Sequence, residues 1–246
     1  MSDFMSPLTR TLILSALASY VNFAGPAAVA APPSQLSILR ACGESDTAAQ
    51  CERVVEADQI RQYPAVASRD GRVLRLKKRN GQSLELRDEG TPGSDEGPKS
   101  KFFAFWDYWT EPHAAVVSVS AEAGDYYLIV DLDRGTQTRI TAEPMLSPDS
   151  GHFVVPDLCE TQCGNAIELW RFDRDRIVRE RTFRPSEKWY EADVRWKDPT
   201  TLEIEYSVAA PGQQASADAP PTLVRSARPL FLRITDRAWT VDENAR

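Results

Sequence analysis

Histidine is scarce in this 246-residue chain, where only His113 and His152 occur. The chain also contains no HExxH and no G-x-S-x-G segment, the short motifs that mark zinc proteases and serine hydrolases. A Ser-His-Asp triad is compatible with the composition, but no local pattern marks its members. The sequence therefore favours a non-enzymatic role and predicts neither a cofactor nor a metal site.

Basic residues are outnumbered as well. The chain has 29 Lys and Arg against 36 Asp and Glu, so its net charge is −7. An acidic chain is a poor partner for nucleic acid or an anionic membrane, because both repel it. The charge is compatible with a basic partner or simply with solubility.

Long apolar runs are missing too. The longest run, residues 11–21, follows a single base, Arg10, and is shorter than the roughly 20 residues that a membrane-spanning helix needs. Small residues ending in Ala28-Val29-Ala30 follow it and fit a signal-peptidase site. No Cys that could carry a lipid follows the run directly. We expect residues 1–30 to be a signal peptide, leaving a periplasmic or secreted protein without stable membrane insertion.

Cysteine is limited to four residues, which form two close pairs along the chain. In an oxidising compartment, this spacing predicts disulfides Cys42–Cys51 and Cys159–Cys163, because short loops are the least costly to close. Four cysteines allow three connectivities. Metal binding by Cys159 and Cys163 is the rival interpretation, and it would require two further soft ligands nearby.

The remaining chain, residues 31–246, is predicted to form a single β-rich domain. Its N-terminal segment, 31–62, contains the first cysteine pair and a predicted helix at 47–60, where Ala, Gln and Glu are common. From residue 72 onward, short β-branched and aromatic runs alternate with turn residues, as strands do. The segments 88–100 and 209–221 are rich in polar and turn residues and are predicted to be solvated loops.

The hydrophobic pattern selects the register of the first predicted hairpin, residues 73–87. A three-residue loop ending at Gly81 pairs Leu76 with Leu84 and Leu74 with Leu86, which places all four on one face. Gly81 then occupies the left-handed position of such a loop.

The same reasoning applied to residues 126–141 predicts a loop of Asp133-Arg134-Gly135, with Leu132 opposite Thr136 and Leu128 opposite Ile140. Three later strand pairs are predicted at 167–183, at 194–208 with a turn at Asp198-Pro199, and at 230–241.

These units recur roughly every 40 to 50 residues, as four-stranded blades do. The segment Tyr127-Leu128-Ile129-Val130-Asp131-Leu132-Asp133-Arg134-Gly135, followed by Leu146-Ser147-Pro148-Asp149-Ser150-Gly151, resembles the WD40-like β-propeller repeats of bacterial periplasmic proteins. In that family, an Asp-x-x-x-Gly turn closes one blade and a Ser-Pro-Asp-Gly turn opens the next. Here Ser150-Gly151 stands where the family has Gly. The resemblance extends over residues 113–206.

The resemblance implies an all-β fold of antiparallel, blade-like repeats that form a small or incomplete β-propeller. Only three blade-like units and one N-terminal hairpin are recognisable, whereas closed propellers have about four to eight blades. A β-sandwich or an open array of sheets is the alternative. A propeller fold would not by itself specify a function.

Candidate binding residues lie in the densest aromatic segment, residues 102–109. Trp106, Tyr108 and Trp109 could stack against a glycan or peptide, with Asp107 accepting hydrogen bonds among them. Packing within the core of a blade is the competing interpretation.

His113 and His152 follow the blade-opening turns and complete the candidate set, although exposed turn positions would explain them equally. Five arginines between residues 174 and 184, with acids among them, form either a solvated face or a docking site for an acidic partner.

Three functions are compatible with these features. The first is an exported module that binds a protein or glycan partner in the cell envelope and no nucleic acid. The second is a small envelope hydrolase, for which Asp107, His113 and His152 would have to share one pocket. The third is an immunity-type inhibitor of a periplasmic toxin.

Overall fold

The computed structural model describes residues 48–90, 100–158, 163–174, 176–211, 221–235 and 238–242. These residues all belong to one compact unit. The predicted signal peptide, residues 1–30, lies outside the described residues, as does most of each predicted loop. Within the described ranges, no helix is long and apolar enough to cross a membrane.

Helix α1, Ala48–Gln62, confirms the predicted N-terminal helix. Its segment contains neither Gly nor Pro, the two residues that most disfavour a helix interior. The helix ends just before Pro64, because the residue preceding a proline avoids the helical region.

The remaining elements are short strands. In chain order they are β1 (Ala67–Asp70), β2 (Val73–Lys77), β3 (Ser83–Arg87), β4 (Lys101–Trp109), β5 (Ala114–Ala121), β6 (Tyr126–Asp131), β7 (Gln137–Ile140), β8 (Met145–Leu146), β9 (His152–Asp157), β10 (Ala166–Phe172), β11 (Ile177–Phe183), β12 (Glu191–Asp198), β13 (Thr201–Ala209), β14 (Leu223–Arg225), β15 (Leu230–Thr235) and β16 (Ala238–Asp242).

The strands form four antiparallel sheets that follow one another along the chain. Sheet 1 contains β1–β3, sheet 2 contains β4–β7 and sheet 3 contains β8–β11. Sheet 4 has the order β12-β13-β15-β16, and β14 also pairs with β13. Neighbouring strands within each sheet are joined mostly by short turns, which permit only antiparallel pairing. The predicted all-β antiparallel class is therefore confirmed.

The register of the first hairpin is the predicted one. Leu74 pairs with Leu86 and Leu76 pairs with Leu84. Gly81 has a φ of 82°, the left-handed conformation that the loop requires. The two-residue spacing of the leucines was sufficient here because one face of sheet 1 is buried and the other is exposed.

The register predicted for the β6–β7 hairpin is wrong by one residue. Ile140 pairs with Tyr127 rather than with Leu128. The difference arises at Leu132, which leaves the strand and is fully buried against sheet 1. The loop is therefore one residue longer and comprises residues 132–135. Asp131, the last residue of β6, accepts the backbone N–H groups of Asp133 and Arg134 with its side chain. Gly135 does adopt the left-handed conformation, with a φ of 77°.

The three later strand pairs are confirmed as β10–β11, β12–β13 and β15–β16. The turn that resembles Ser-Pro-Asp-Gly joins β8 to β9. Ser147 Oγ donates to Asp149 Oδ1 at 2.6 Å and accepts the N–H of His152 at 3.0 Å. Ser150, with a φ of 59°, rather than Gly151 takes the left-handed position.

Three apolar clusters lie between consecutive sheets. Cluster A joins sheet 1 to sheet 2 and includes Leu76 and Phe105. Cluster B joins the other face of sheet 2 to sheet 3 through Trp106 and Phe153. Cluster C joins the other face of sheet 3 to sheet 4 and includes Leu202. Consecutive sheets thus pack face to face in chain order, and we call this arrangement the stack. No cluster of described residues joins sheet 4 to sheet 1.

Helix α1 covers the edge of β4, the outermost strand on one side of sheet 2. Glu56 accepts the N–H of Phe105 at 2.8 Å, and Asp88 accepts the N–H of Phe103 at 3.0 Å. Arg69 donates to Glu56 at 2.7 Å and to the carbonyl of Phe103. These side chains satisfy backbone groups that an edge strand would otherwise leave unpaired.

Candidate functional site

The aromatic segment of β4 lies in the core. Trp106 is 2% exposed and Trp109 is 5% exposed, both in cluster B, whereas Tyr108 is half-buried beside cluster A. Sheet 1 covers one face of β4 and sheet 3 covers the other, and a bulge at Trp106 places the two indoles on the same side. These rings are therefore positioned to support the sheets rather than to stack on a ligand.

Asp107 is buried beside these rings. Its carboxylate accepts the N–H of Tyr108 at 2.7 Å and the indole N–H of Trp109 at 3.1 Å. Burial raises the pKa of Asp107, although the two hydrogen bonds oppose the shift. Asp107 thus stabilises the bulge of β4 through hydrogen bonds within the same strand.

Two further acids with raised pKa values lie near sheet 2, and the sequence contained no signal for either. Glu143 accepts the indole N–H of Trp106 at 3.0 Å, and burial raises its pKa to about 6. Glu52 of α1 accepts from Ser120 at 3.0 Å, and burial raises its pKa to about 7. In the sequence, Glu52 is one of several charged residues in a polar helix, so only packing distinguishes it.

His113 belongs to a cluster of hairpin turns where strands of sheets 1 and 2 end. Its Nδ1 contacts the carboxylate of Asp133, which also pairs with Arg79 at 2.8 Å. Its ring meets Tyr108 edge-on at 5.9 Å. The contacts of His113 thus link the β2–β3, β4–β5 and β6–β7 turns, which is a structural role.

His152, the first residue of β9, lies in different surroundings. Its Nε2 is 3.7 Å from a carboxylate oxygen of Glu180. Its Nδ1 is buried and has no hydrogen-bond partner among the described residues. A buried nitrogen without a partner is uncommon, because desolvation without a hydrogen bond costs about 1–3 kcal/mol.

His152 lines a cavity of about 720 Å³ between sheets 3 and 4. Pockets that hold small ligands measure about 300–1,000 Å³, so this one is large enough for a ligand. One wall is built by β9, β10 and β11, and the opposite wall by the β12–β13 turn, the end of β15 and β16. The lining residues are His152, Leu169, Arg171, Val178, Arg179, Glu180, Arg181, Thr200, Ile234, Thr235 and Trp239.

The cavity combines apolar walls with polar residues. Leu169, Val178 and Ile234 supply aliphatic surface. The indole N–H of Trp239 and His152 Nδ1 have no partner among the described residues, and both nitrogens are enclosed by protein atoms rather than open to the cavity.

The charged side chains of the lining already form ion pairs on the protein. Arg179 bonds Glu168 at 2.6 Å, and Arg171 bonds Glu180. These arginines are partly exposed, so the pairs contribute little and exchange partners at low cost.

The structure does not bring together the three residues that a hydrolase site would have required. Asp107 bonds within β4, His113 contacts Asp133, and His152 lies beside Glu180. In the ranges that the structure describes, no group of three or more His, Cys, Asp or Glu side chains could hold a metal ion.

The predicted disulfide pairs each include a residue outside the described ranges, Cys42 in the first and Cys159 in the second. The two described cysteines, Cys51 and Cys163, are not free thiols. The pairing itself stays a prediction.

Comparisons with known proteins return nothing for this chain: no family model, no curated protein and no solved structure matches it.

Proposed function

We propose that this protein is an exported, non-enzymatic binding module whose ligand site is the cavity between sheets 3 and 4. The observation that carries this proposal is the cavity itself. It is large enough for a small ligand, and two sheets line it with apolar residues and with polar residues such as His152, Arg171 and Thr200. A concave space of this size with a few polar groups among apolar walls is the usual form of a ligand site.

The scaffold is proposed to be an incomplete, propeller-like array. Support comes from four antiparallel sheets in chain order, each packed face to face with the next. The two turns that carry the resemblance are each closed by a side-chain hydrogen bond, from Asp133 N–H to Asp131 and from Ser147 to Asp149. Hairpin turns from sheets 3 and 4 border the cavity, and loops held by a rigid scaffold commonly carry binding sites.

The compartment is proposed to be the periplasm or the exterior, on the evidence of the N-terminal sequence pattern. The partner is then a protein or another component of the cell envelope.

A capture experiment with a cavity-blocking variant tests the proposed function. Residues 31–246 serve as bait in envelope extract, with crosslinking and quantitative mass spectrometry. Val178→Trp adds bulk on the cavity wall. Val224→Trp, on β14, is the matched control because Val224 is 46% exposed and does not line the cavity.

We expect one saturable partner that the wild type and Val224→Trp retain and that Val178→Trp loses. Equal capture by Val178→Trp would place the binding surface elsewhere. A blank with crosslinked wild type would contradict the binding-module proposal. If the partner is a toxin that the protein neutralises, the inhibitor hypothesis becomes the specific form of this function.

A further inference from the structure

Strand β12 forms one edge of sheet 4. It stands at one end of the strand order, and among the described residues it pairs only with β13. The strand is eight residues long, Glu191–Asp198. Helix α1 covers the edge of β4, but no strand in the described ranges covers that of β12. An edge of this length is a template for pairing with a further strand.

The backbone of β13 shows which groups of β12 point to this edge. The N–H of Ile234 donates to the carbonyl of Thr200 at 2.7 Å. The N–H of Ser226 donates to the carbonyl of Tyr206 at 2.8 Å. Even-numbered residues of β13 therefore bond toward β14 and β15, and odd-numbered residues bond toward β12, because the direction alternates along a strand. The partners of these odd-numbered residues in β12 are odd-numbered too, so the even-numbered residues of β12 direct their N–H and C=O groups to the open edge.

The two faces of β12 differ in character. On the inner face, Val194 is buried in cluster C, and Ala192 and Trp196 pack against that cluster. The outer face carries exposed charges, two acids followed by two bases: Glu191, Asp193, Arg195 and Lys197.

This order of charges is self-complementary. Two antiparallel copies of β12 with a two-fold axis at Val194 oppose positions 191 and 193 of one copy to positions 197 and 195 of the other. Every opposed pair on the outer face then joins an acid to a base, which stabilises paired strands. On the inner face, Val194 lies opposite its own equivalent, and Ala192 lies opposite Trp196, a small side chain opposite a large one. The residues opposed at the axis are even-numbered, so their backbone groups face each other.

Other two-fold registers of the same strand bring like charges together. The axis must pass through a residue, because only then do the residues that point to the edge oppose one another. An axis at Asp193 or at Arg195 opposes that residue to itself. An axis at Ala192 opposes the two acids to each other, and an axis at Trp196 opposes the two bases. Charge, apolar pattern and backbone direction therefore all select the axis at Val194.

We infer that two copies of this protein pair through β12 as an antiparallel dimer with its two-fold axis at Val194, which joins the two copies of sheet 4 into one continuous sheet. No residue of β12 is among those that line the cavity. The inference therefore goes beyond the proposed function and does not depend on it.

The contacts that the outer charges already make leave room for this pairing. Arg195 keeps Glu203 as its partner at 3.2 Å. Asp193, whose side chain is 66% exposed and lies 3.4 Å from Arg195, gains the arginine of the second copy. Glu191 accepts only the hydroxyl of Ser207 at 3.2 Å.

Lys197 places its Nζ over the ring of Phe231, 4.6 Å from the centroid. The described contacts of positions 191 and 197 thus include no opposite charge, and the dimer supplies one to each.

Sedimentation of purified residues 31–246 at concentrations from micromolar to submillimolar measures the association. We expect a reversible equilibrium between monomer and dimer. A monomer throughout this range would refute the inference.

Glu191→Lys and Lys197→Glu test the register. Each variant alone opposes like charges at both of the outermost pairs, so its dimer should dissociate about tenfold or more readily than that of the wild type. Mixed in equal amounts, the two variants should form a mixed dimer as tight as the wild type, because each pair then joins a lysine to a glutamate. Native mass spectrometry with one variant isotopically labelled separates mixed dimers from like dimers.

Recovery on mixing excludes a folding defect, because neither chain changes. Glu122→Lys, at an exposed glutamate of the β5–β6 turn, makes the same change of charge away from β12 and should leave the dissociation constant unchanged. Single variants that dimerise as tightly as the wild type, or a mixture no tighter than its components, would contradict the inferred register.

Amide hydrogen exchange, resolved by residue with NMR, tests the backbone pairing. Exchange at Val194 should slow as rising concentration converts monomer to dimer. Exchange at Asp193 and Arg195 should be slow at every concentration, since their N–H groups bond to β13. A Val194 amide that is equally protected in the monomer would mean that the chain itself occupies the edge, and one that stays unprotected in the dimer would place the contact elsewhere; either result overturns the inference.

Discussion

At the scale of single residues, burial decides what each acid does. Asp107 and Glu143 accept indole N–H groups, and Glu52 accepts a serine hydroxyl. Burial raises the pKa of each, because an apolar setting disfavours the charged form. These acids make stability depend on pH in a direction opposite to that of ordinary ion-paired carboxylates.

Glu52 supplies the clearest test of this effect. The folded protein keeps a proton on Glu52 up to about pH 7, whereas the unfolded chain releases it near its ordinary value of 4.5. The contribution to stability is therefore complete below pH 4.5 and is lost as pH rises through 7. Glu52→Gln should remove up to about 3 kcal/mol of the stability difference between pH 5 and pH 8.

The measurement is urea unfolding of the wild type and the variant at both pH values. Glu122→Gln, a change at an exposed glutamate, is the control and should leave the pH dependence as it is in the wild type. An unchanged pH dependence in Glu52→Gln would show that Glu52 is ionised in the folded protein.

At the scale of elements, α1 acts as the cover of an exposed strand edge. Its residue Glu56 is 2% exposed, accepts a β4 N–H and pairs with Arg69. On the opposite side of the same helix, Asp58 pairs with Arg61 in solvent, where an ion pair contributes little. The two acids lie two positions apart in sequence, yet their contributions to stability differ sharply.

Glu56→Ala should destabilise the fold by about 3–5 kcal/mol, because it removes the nearest carboxylate from the largely buried guanidinium of Arg69 and leaves a β4 N–H without its acceptor. Asp58→Ala in the same helix should cost less than about 1 kcal/mol. Chemical unfolding monitored by tryptophan fluorescence gives both values. Similar costs for the two variants would mean that α1 does not stabilise the β4 edge.

At the scale of the whole molecule, neighbouring clusters share strands. The strands β4–β6 contribute to clusters A and B, and β9 and β10 contribute to clusters B and C. Disrupting one cluster therefore weakens a sheet that the next cluster needs. This linkage predicts cooperative unfolding of the stack.

Leu76→Ala in cluster A and Leu202→Ala in cluster C test this cooperativity, since both leucines are fully buried. Each should cost about 2–5 kcal/mol and should lower the midpoint of one shared transition. Calorimetry is the measurement. Two separate transitions, with only one displaced in each variant, would show that the ends of the stack unfold independently.

Local chemistry predicted much of this architecture. The spacing of Leu74, Leu76, Leu84 and Leu86 predicted the register of the first hairpin, because each face of a strand has a period of two. The position of Leu132 was predicted wrongly, since its burial against sheet 1 is a contact distant in sequence. The alternation of strands carries no information about such contacts.

At the candidate site, too, the sequence indicated a local feature but not the contacts between distant residues. His152 was selected from the sequence as a residue beside a turn, but nothing near it indicated Trp239, which is distant in the chain. The sequence by itself determined the antiparallel class and five of the twelve strand pairs among the described residues, all of them hairpins, because these depend on neighbouring residues. Only the tertiary structure decided that the β4 aromatics are core and that a cavity opens beside β11, because burial depends on which sheets come to lie face to face.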